Sequence, residues 1–214
     1  MNNELGDHET MKPSVSFVLV SVMLALVPAR AESLPLVPMP RAVTEKGGLY
    51  TPPKVGPQIA RTTVPADEVP PEGYRLTVTA DGIKVSASDD AGFFYAGETL
   101  KQLAGKDAAG HAVYPCVEIE DAPRYPWRGL LVDESRHFFG KKEILSILEH
   151  MSEFKLNVLH WHLTDDEGWR LALEKYPALA ARASWIAKNP FDKNGGKYGP
   201  FFYTADDVRE VLAF

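Results

Sequence analysis

Two apolar runs in this sequence end in charged side chains. Gly129-Leu-Leu-Val-Asp-Glu134 leads into Arg136 and His137, and Val158-Leu-His-Trp-His-Leu163 leads into Asp165 and Asp166. Arginine offers a planar fork of donors, and aspartate accepts from groups that arginine cannot serve. Placed together at neighbouring strand ends, they suit a polar ligand with several hydroxyls. A structural ion pair at the rim of a fold would use the same residues. His160 and His162 share strand parity, so both side chains point to one side. Their H-x-H spacing fits a metal site and fits two hydrogen-bonded core histidines equally well. Trp127, Trp161, Trp169 and Trp185 could build a stacking surface or fill a core. Arg128, at the start of the first run, reads as structural.

The elements that must position these residues are a strand, a helix and a second strand. Between the two runs, Ile144, Ile147, Leu148, Met151 and Phe154 fall on one face of an amphipathic helix over 141–154. The first strand is almost continuously apolar, as expected for one buried on both faces. In parallel α/β folds, ligands bind at the carboxyl ends of strands, where Arg136 and Asp165 lie. Residues 167–203, rich in Gly, Pro and Asn, read as a long loop with short helical pieces. Thr204 and Asp207 then form a capping-box-like start to a helix carrying Val208, Val211, Leu212 and Phe214. Residues 122–214 thus hold about two βα units. Two parallel strands cannot bury both faces, so the pattern predicts the beginning of a larger parallel α/β domain.

Upstream, residues 32–72 are rich in proline, which favours extended edge strands over helix. Tyr74–Thr79 and Ile83–Ala87 alternate around Asp81-Gly82, predicting a hairpin. Asp89 and Asp90 suit the cap of a helix whose apolar face would be Phe93, Phe94, Ala96, Gly97, Leu100 and Leu103, stopped by Gly105. Val113–Ile119 reads as a further strand. Residues 32–121 therefore form a small α+β domain with no evident chemistry.

With 214 residues, 45% hydrophobic and 24% charged, the chain is of ordinary globular composition. A net charge of −6 gives no electrostatic support for a nucleic-acid partner. The single Cys116 cannot close an internal disulfide. Lys12, the apolar run Val15–Val27 and Ala29-Arg-Ala31 have the order of a signal peptide, with cleavage expected after Ala31 and Met11 as the true start. The expectation is export to the periplasm or medium, with no membrane attachment after cleavage.

Pro123-Arg-Tyr-Pro-Trp-Arg-Gly-Leu-Leu-Val-Asp-Glu-Ser-Arg-His-Phe-Phe139, Lys155-Leu-Asn-Val-Leu-His-Trp-His-Leu-Thr-Asp-Asp-Glu-Gly-Trp-Arg170, Tyr176-Pro-x-Leu179 and Tyr203-Thr204 together resemble glycoside hydrolase family 20, the β-N-acetylhexosaminidases. Residues 32–120 are similar to the α+β domain that precedes the barrel in that family. The resemblance implies a (β/α)8 TIM barrel, truncated here after about two βα units. It implies removal of terminal N-acetylglucosamine or N-acetylgalactosamine from glycans, without cofactor or metal. The configuration is retained because the substrate's own acetamido oxygen attacks C1. In this likeness Arg136 binds sugar hydroxyls and Asp165 is the active-site aspartate of the second strand. His162 supports them, with Asp166 and His137 alongside. The family's catalytic Asp-Glu pair would lie beyond Phe214. Asp67-Glu68, Asp133-Glu134 and Asp166-Glu167 do not match it, so the 214 residues alone are expected to be inactive. The third of these sits at the rim, where the family often has Gln in place of Glu167.

Two other readings compete. A metal-dependent barrel hydrolase would use His160 and His162 with ligands further along. A non-catalytic glycan-binding protein would use residues 32–120, whose stretch before Tyr74 is poor in aromatics for stacking.

Overall fold

Alternation of inward and outward residues over 74–79 and 82–87 builds the centre of the first layer. The computed structural model describes residues 34–187 and 196–214, so the expected signal peptide over 1–31 lies outside the described residues. Strand β1 (Ala42–Tyr50) and strand β2 (Ile59–Thr63) come from the proline-rich part. Then follow β3 (Tyr74–Thr79), β4 (Gly82–Ala87), helix α1 (Asp90–Leu103), a short β5 (Gly105–Lys106) and β6 (Ala112–Asp121). The main sheet runs β1-β6-β3-β4-β2, with β5 beside β6. Both proline-flanked strands thus occupy the sheet's outer positions. All pairs are antiparallel except β2 with β4.

Residues Tyr74, Leu76, Val78, Ile83, Val85 and Ala87 turn one face of this sheet inward, where α1 covers it with Tyr95, Ala96, Leu100 and Leu103. Asp89 caps α1 through its Oδ1, which accepts from Gly92 N at 2.8 Å. Gly92 lets the helix lie against the sheet: a Cβ there would run into Gly73 O and come within 2.9 Å of Ala87 Cβ. Two sequence expectations shift. Thr79 pairs with Gly82, so the turn is Ala80-Asp81, one residue earlier than expected. Phe94 is half exposed, and Tyr95 takes the inward position. Its hydroxyl reaches Arg128 at 3.1 Å, a partner far along the chain.

The second layer begins with β7 (Gly129–Asp133), α2 (Lys141–Glu153) and β8 (Val158–His162), with β7 and β8 parallel and Asp133 opposite His162. A small hairpin, β9 (Thr164–Asp165) and β10 (Gly168–Trp169), follows. Then come α3 (Pro177–Ala183), the pair β11 (Ile186–Ala187) and β12 (Lys197–Tyr198), and α4 (Ala205–Ala213). Thr204 and Asp207 form a full capping box on α4. Val132, Ile144, Tyr203 and Val211 make a compact core, flanked by Trp161, Leu159, Leu148 and Val208. The expectation that β7 is buried on both faces does not hold among the described residues. Leu131 is 54% exposed because α2 and α4 cover only the face carrying Val132 and Trp161.

The two layers are bolted together at the amino ends of β7 and β8. Arg128 pairs with Glu72 and donates to Lys155 O at 2.7 Å and Tyr125 O at 2.8 Å. Lys155 Nζ, nearly buried, reaches Asp121 at 2.7 Å and the Tyr74 hydroxyl at 2.9 Å. Arg128 is structural, as its place at the start of the first strand implied.

Candidate functional site

The carboxyl ends of β7 and β8 bring together residues 29 positions apart in sequence. After β7 the chain turns sharply, with Asp133 Oδ1 accepting from Arg136 N at 3.1 Å. Glu134 N continues the ladder by donating to His162 O at 3.0 Å. The turn throws the Arg136 side chain across to β8. There Nη1 meets Asp165 Oδ2 at 2.6 Å, Asp133 Oδ2 at 3.2 Å and His162 Nε2 at 3.3 Å. His162 Nε2 also lies 3.0 Å from the same Asp165 oxygen. Asp165 ends β9, and Asp166-Glu167 form the two-residue turn to β10. Glu167 reaches Arg136 Nε at 2.9 Å, whereas Asp166 stays 3.8 Å away and is 83% exposed.

One guanidinium thus faces four carboxylates on a half-open rim. The Asp165 carboxyl is held down at about 2, first by the hydrogen bond from the Asp166 amide, then by His162 and the Arg136 charge. Asp166 moves up because it shares a hydrogen bond with Glu167, and Glu167 moves down for the same reason. Ionised Asp165 and Arg136 together present acceptors and donors to a hydroxyl-rich ligand, with water still reaching both.

The other sequence candidates divide. Arg136, Asp165, His162 and Asp166 gather in this cluster. His137 turns out to solvent, its ring edge-on to Phe139 at 4.9 Å. His160 points to the same side as His162, with the rings 5.8 Å apart. Among the described residues, the one group of three His, Cys, Asp or Glu side chains close enough to share an ion is Asp165, Asp166 and Glu167, which includes neither histidine. Trp161 packs on Tyr203 at 4.7 Å, on the helix-facing side of β8. Trp127 stands 71% exposed next to the amino end of β7. The tryptophans therefore do not form one stacking wall.

Sequence reasoning missed a buried polar set beneath the rim. Glu134, Ser135, Arg170 and Tyr203 are all within 1% of full burial. Tyr203 donates to Glu134 Oε1 at 2.6 Å, and Phe139 N donates to Glu134 Oε2 at 2.8 Å. The available signal was a charged residue inside an apolar stretch, but the sequence does not say which of Asp133 and Glu134 turns inward. A cavity of about 520 Å³ lies elsewhere, in the seam between the layers, lined by Tyr74, Tyr125, Phe154, Arg128 and Lys155. Arg128 and Lys155 are each paired with a carboxylate there, so the cavity is a joint between layers.

Comparison with known proteins accords with this arrangement. The model described as "Glycosyl hydrolase family 20, catalytic domain" matches residues 125–214, and "Glycosyl hydrolase family 20, domain 2" matches residues 42–122. A β-hexosaminidase of Vibrio furnissii is 34% identical over 165 residues, covering 73% of this chain and 26% of that protein. One from Akkermansia muciniphila is 39% identical over 143 residues, covering 67% and 28%. The crystal structure of an exo-β-N-acetylglucosaminidase of that family from Vibrio harveyi, in complex with N-acetylglucosamine, superposes with a TM-score of 0.74. It is 27% identical, over 84% of this chain and 34% of that one. The chain spans about a quarter of the length of those two β-hexosaminidases. Matched in order along both layers and carrying an α/β fold of that type, the chain belongs to glycosyl hydrolase family 20.

Proposed function

We propose that these residues belong to an exported exo-β-N-acetylhexosaminidase that removes terminal non-reducing N-acetylglucosamine or N-acetylgalactosamine from glycans. The observation that carries the reading is the Arg136–Asp165–His162 contact across two parallel strand ends, in a chain of this family. In this reading β7, α2 and β8 are the start of a (β/α)8 barrel over residues 122–214. Residues 32–121 are the preceding α+β domain, and residues 1–31 are a leader that directs export to the periplasm or medium. Arg136 donates to sugar hydroxyls, Asp165 accepts from them and fixes the guanidinium, and His162 fixes Asp165.

Hydrolysis with retention proceeds through attack of the substrate's acetamido oxygen on C1. The aspartate that orients the acetamido group and the glutamic acid that protonates the leaving group are assigned to parts of the whole protein outside residues 1–214. The rim carboxylates Asp165 and Glu167 are engaged with Arg136 instead, and Asp166 points into solvent. The test is release of sugar from an aryl β-N-acetylglucosaminide by the whole protein. The β-anomer is expected as first product, with KM strongly raised in Arg136→Ala. No release from either N-acetylglucosaminide or N-acetylgalactosaminide refutes the reading.

A further inference from the structure

The turn that carries Arg136 is held from inside by a fully buried residue. Arg170 is fully buried, and among the described residues no carboxylate lies within ion-pair distance of it. Its guanidinium is spent on main-chain carbonyls. Nε donates to Glu134 O at 2.9 Å and Nη2 to Ser135 O at 2.8 Å, while Nη1 donates to Ser184 O at 2.9 Å and Phe201 O at 3.4 Å. Its own backbone is anchored to the residue that follows β8 and to Tyr203, with N donating to Leu163 O at 2.8 Å and O accepting from Tyr203 N at 2.8 Å. Room for the fork is made by Gly168, where a Cβ would run into the guanidinium. Ser135 Oγ closes the same tie by donating to Gly168 O at 2.9 Å.

Burying a cation without a paired carboxylate is unfavourable unless its donors are satisfied in a fixed geometry, and here the buried Glu134 carboxylate adds a favourable charge nearby. Arg170 meets that condition. Its planar fork spans from the chain leaving β8 to the two carbonyls immediately before Arg136. Lysine could keep the charge but could not serve Glu134 O, Ser135 O and Ser184 O together, because its donors diverge from a single nitrogen.

We infer that Arg170 is a positioning residue for sugar binding: by gripping the Glu134 and Ser135 carbonyls from its place just after β10, it sets Arg136 against Asp165. The inference rests on the reading of Arg136 and Asp165 as sugar-binding groups. Arg170 also ties down Ser184 and Phe201, but on sugar binding it acts through Arg136, which separates this role from general support of the core.

The test is a double-mutant cycle in the whole protein with Arg170→Lys, Arg136→Ala and the pair, assayed on an aryl β-N-acetylglucosaminide, together with a crystal structure of Arg170→Lys. Arg170→Lys is expected to raise KM about tenfold and to lower kcat by less than about threefold. Added to Arg136→Ala, it should change KM by less than about twofold, because the group it aims is already gone. In the crystal, Arg136 Nη1 should withdraw from Asp165 Oδ2 beyond about 3.5 Å. An unchanged KM, effects that multiply in the double variant, or a contact still near 2.6 Å overturns the inference. If the wild type turns over no substrate, the hexosaminidase reading fails and the crystallographic arm alone decides the positioning. If Arg170→Lys does not fold, Gly168→Ala takes its place in the cycle, since its methyl displaces the guanidinium without removing it; the same outcomes apply.

Discussion

Removing one oxygen from Tyr203 measures how firmly the rim is held from below. In the fold, the Tyr203 hydroxyl donates to Glu134 Oε1 at 2.6 Å, with Tyr203 1% exposed and Glu134 fully buried. Tyr203→Phe keeps the ring contacts with Trp161 and Phe138, at 4.7 and 4.8 Å, so little packing is lost. It leaves one carboxylate oxygen buried without a donor, while Phe139 N still serves the other at 2.8 Å. A hydrogen bond to a charged group contributes about 1.5–3 kcal/mol, so Tyr203→Phe should cost about 2 kcal/mol. For a unit of this size that lowers the melting temperature by roughly 4–8 °C.

Glu134→Gln should behave differently. Its carbonyl can take the Phe139 amide and its NH2 can donate to the Tyr203 oxygen after the hydroxyl rotates, so it should cost less than about 1 kcal/mol. In that background, Tyr203→Phe should lose most of its effect. Burial, followed by the Glu134 carboxylate, pushes the Tyr203 phenol well above its ordinary range. The neutral phenol is therefore favoured in the fold, and its contribution is intact below about pH 10 and is lost as pH rises above that. Urea unfolding of the four proteins of the cycle provides the assay. A Tyr203→Phe cost below about 0.5 kcal/mol, or an equal cost in the Glu134→Gln background, would refute the reasoning.

Further outcomes follow from the same contacts. Asp165→Asn must turn its NH2 toward either Arg136 or the Asp166 amide, so KM for the aryl sugar should rise about tenfold, whereas Asp166→Asn, 83% exposed, should change it less than about twofold. Equal effects from the two variants would remove Asp165 from its assigned role. Because Asp165 is held at about 2, it stays ionised and paired at neutral pH and loses its charge only as pH falls through that value, so no acid limb of kcat/KM above about pH 4 should vanish in Asp165→Asn. Ile144→Ala, fully buried between β7 and α4, should cost about 2–5 kcal/mol in urea unfolding. Thr204→Ala removes the α4 cap, which accepts from Asp207 N at 3.1 Å, and should cost about 1 kcal/mol. The Thr204 hydroxyl and then Lys141 hold Asp207 at about 2, so this cap's pH-dependent part is present above about pH 4 and fades as pH falls from there toward 2, as followed by circular dichroism.

Local order was legible in the sequence wherever one residue's neighbours along the chain dictate its conformation. The period of Ile144, Ile147, Leu148 and Met151 makes α2, alternation makes β3 and β4, and Asp89 and Thr204 cap their helices through groups three residues away. Arg136 and Asp165 could be placed at strand ends for the same reason. Tertiary structure alone decided the rest. Tyr95, not Phe94, turns inward because Arg128 waits for its hydroxyl from the other layer. Asp133 faces the rim while its neighbour Glu134 is buried, since strand parity separates them and Tyr203, 69 residues on, joins the local Phe139 amide in making burial tolerable. Leu131 stays exposed because α2 and α4 lie on the other face of β7. A sequence pattern records the period of an element, but the partner that satisfies a buried charge is set by which distant segment folds against it.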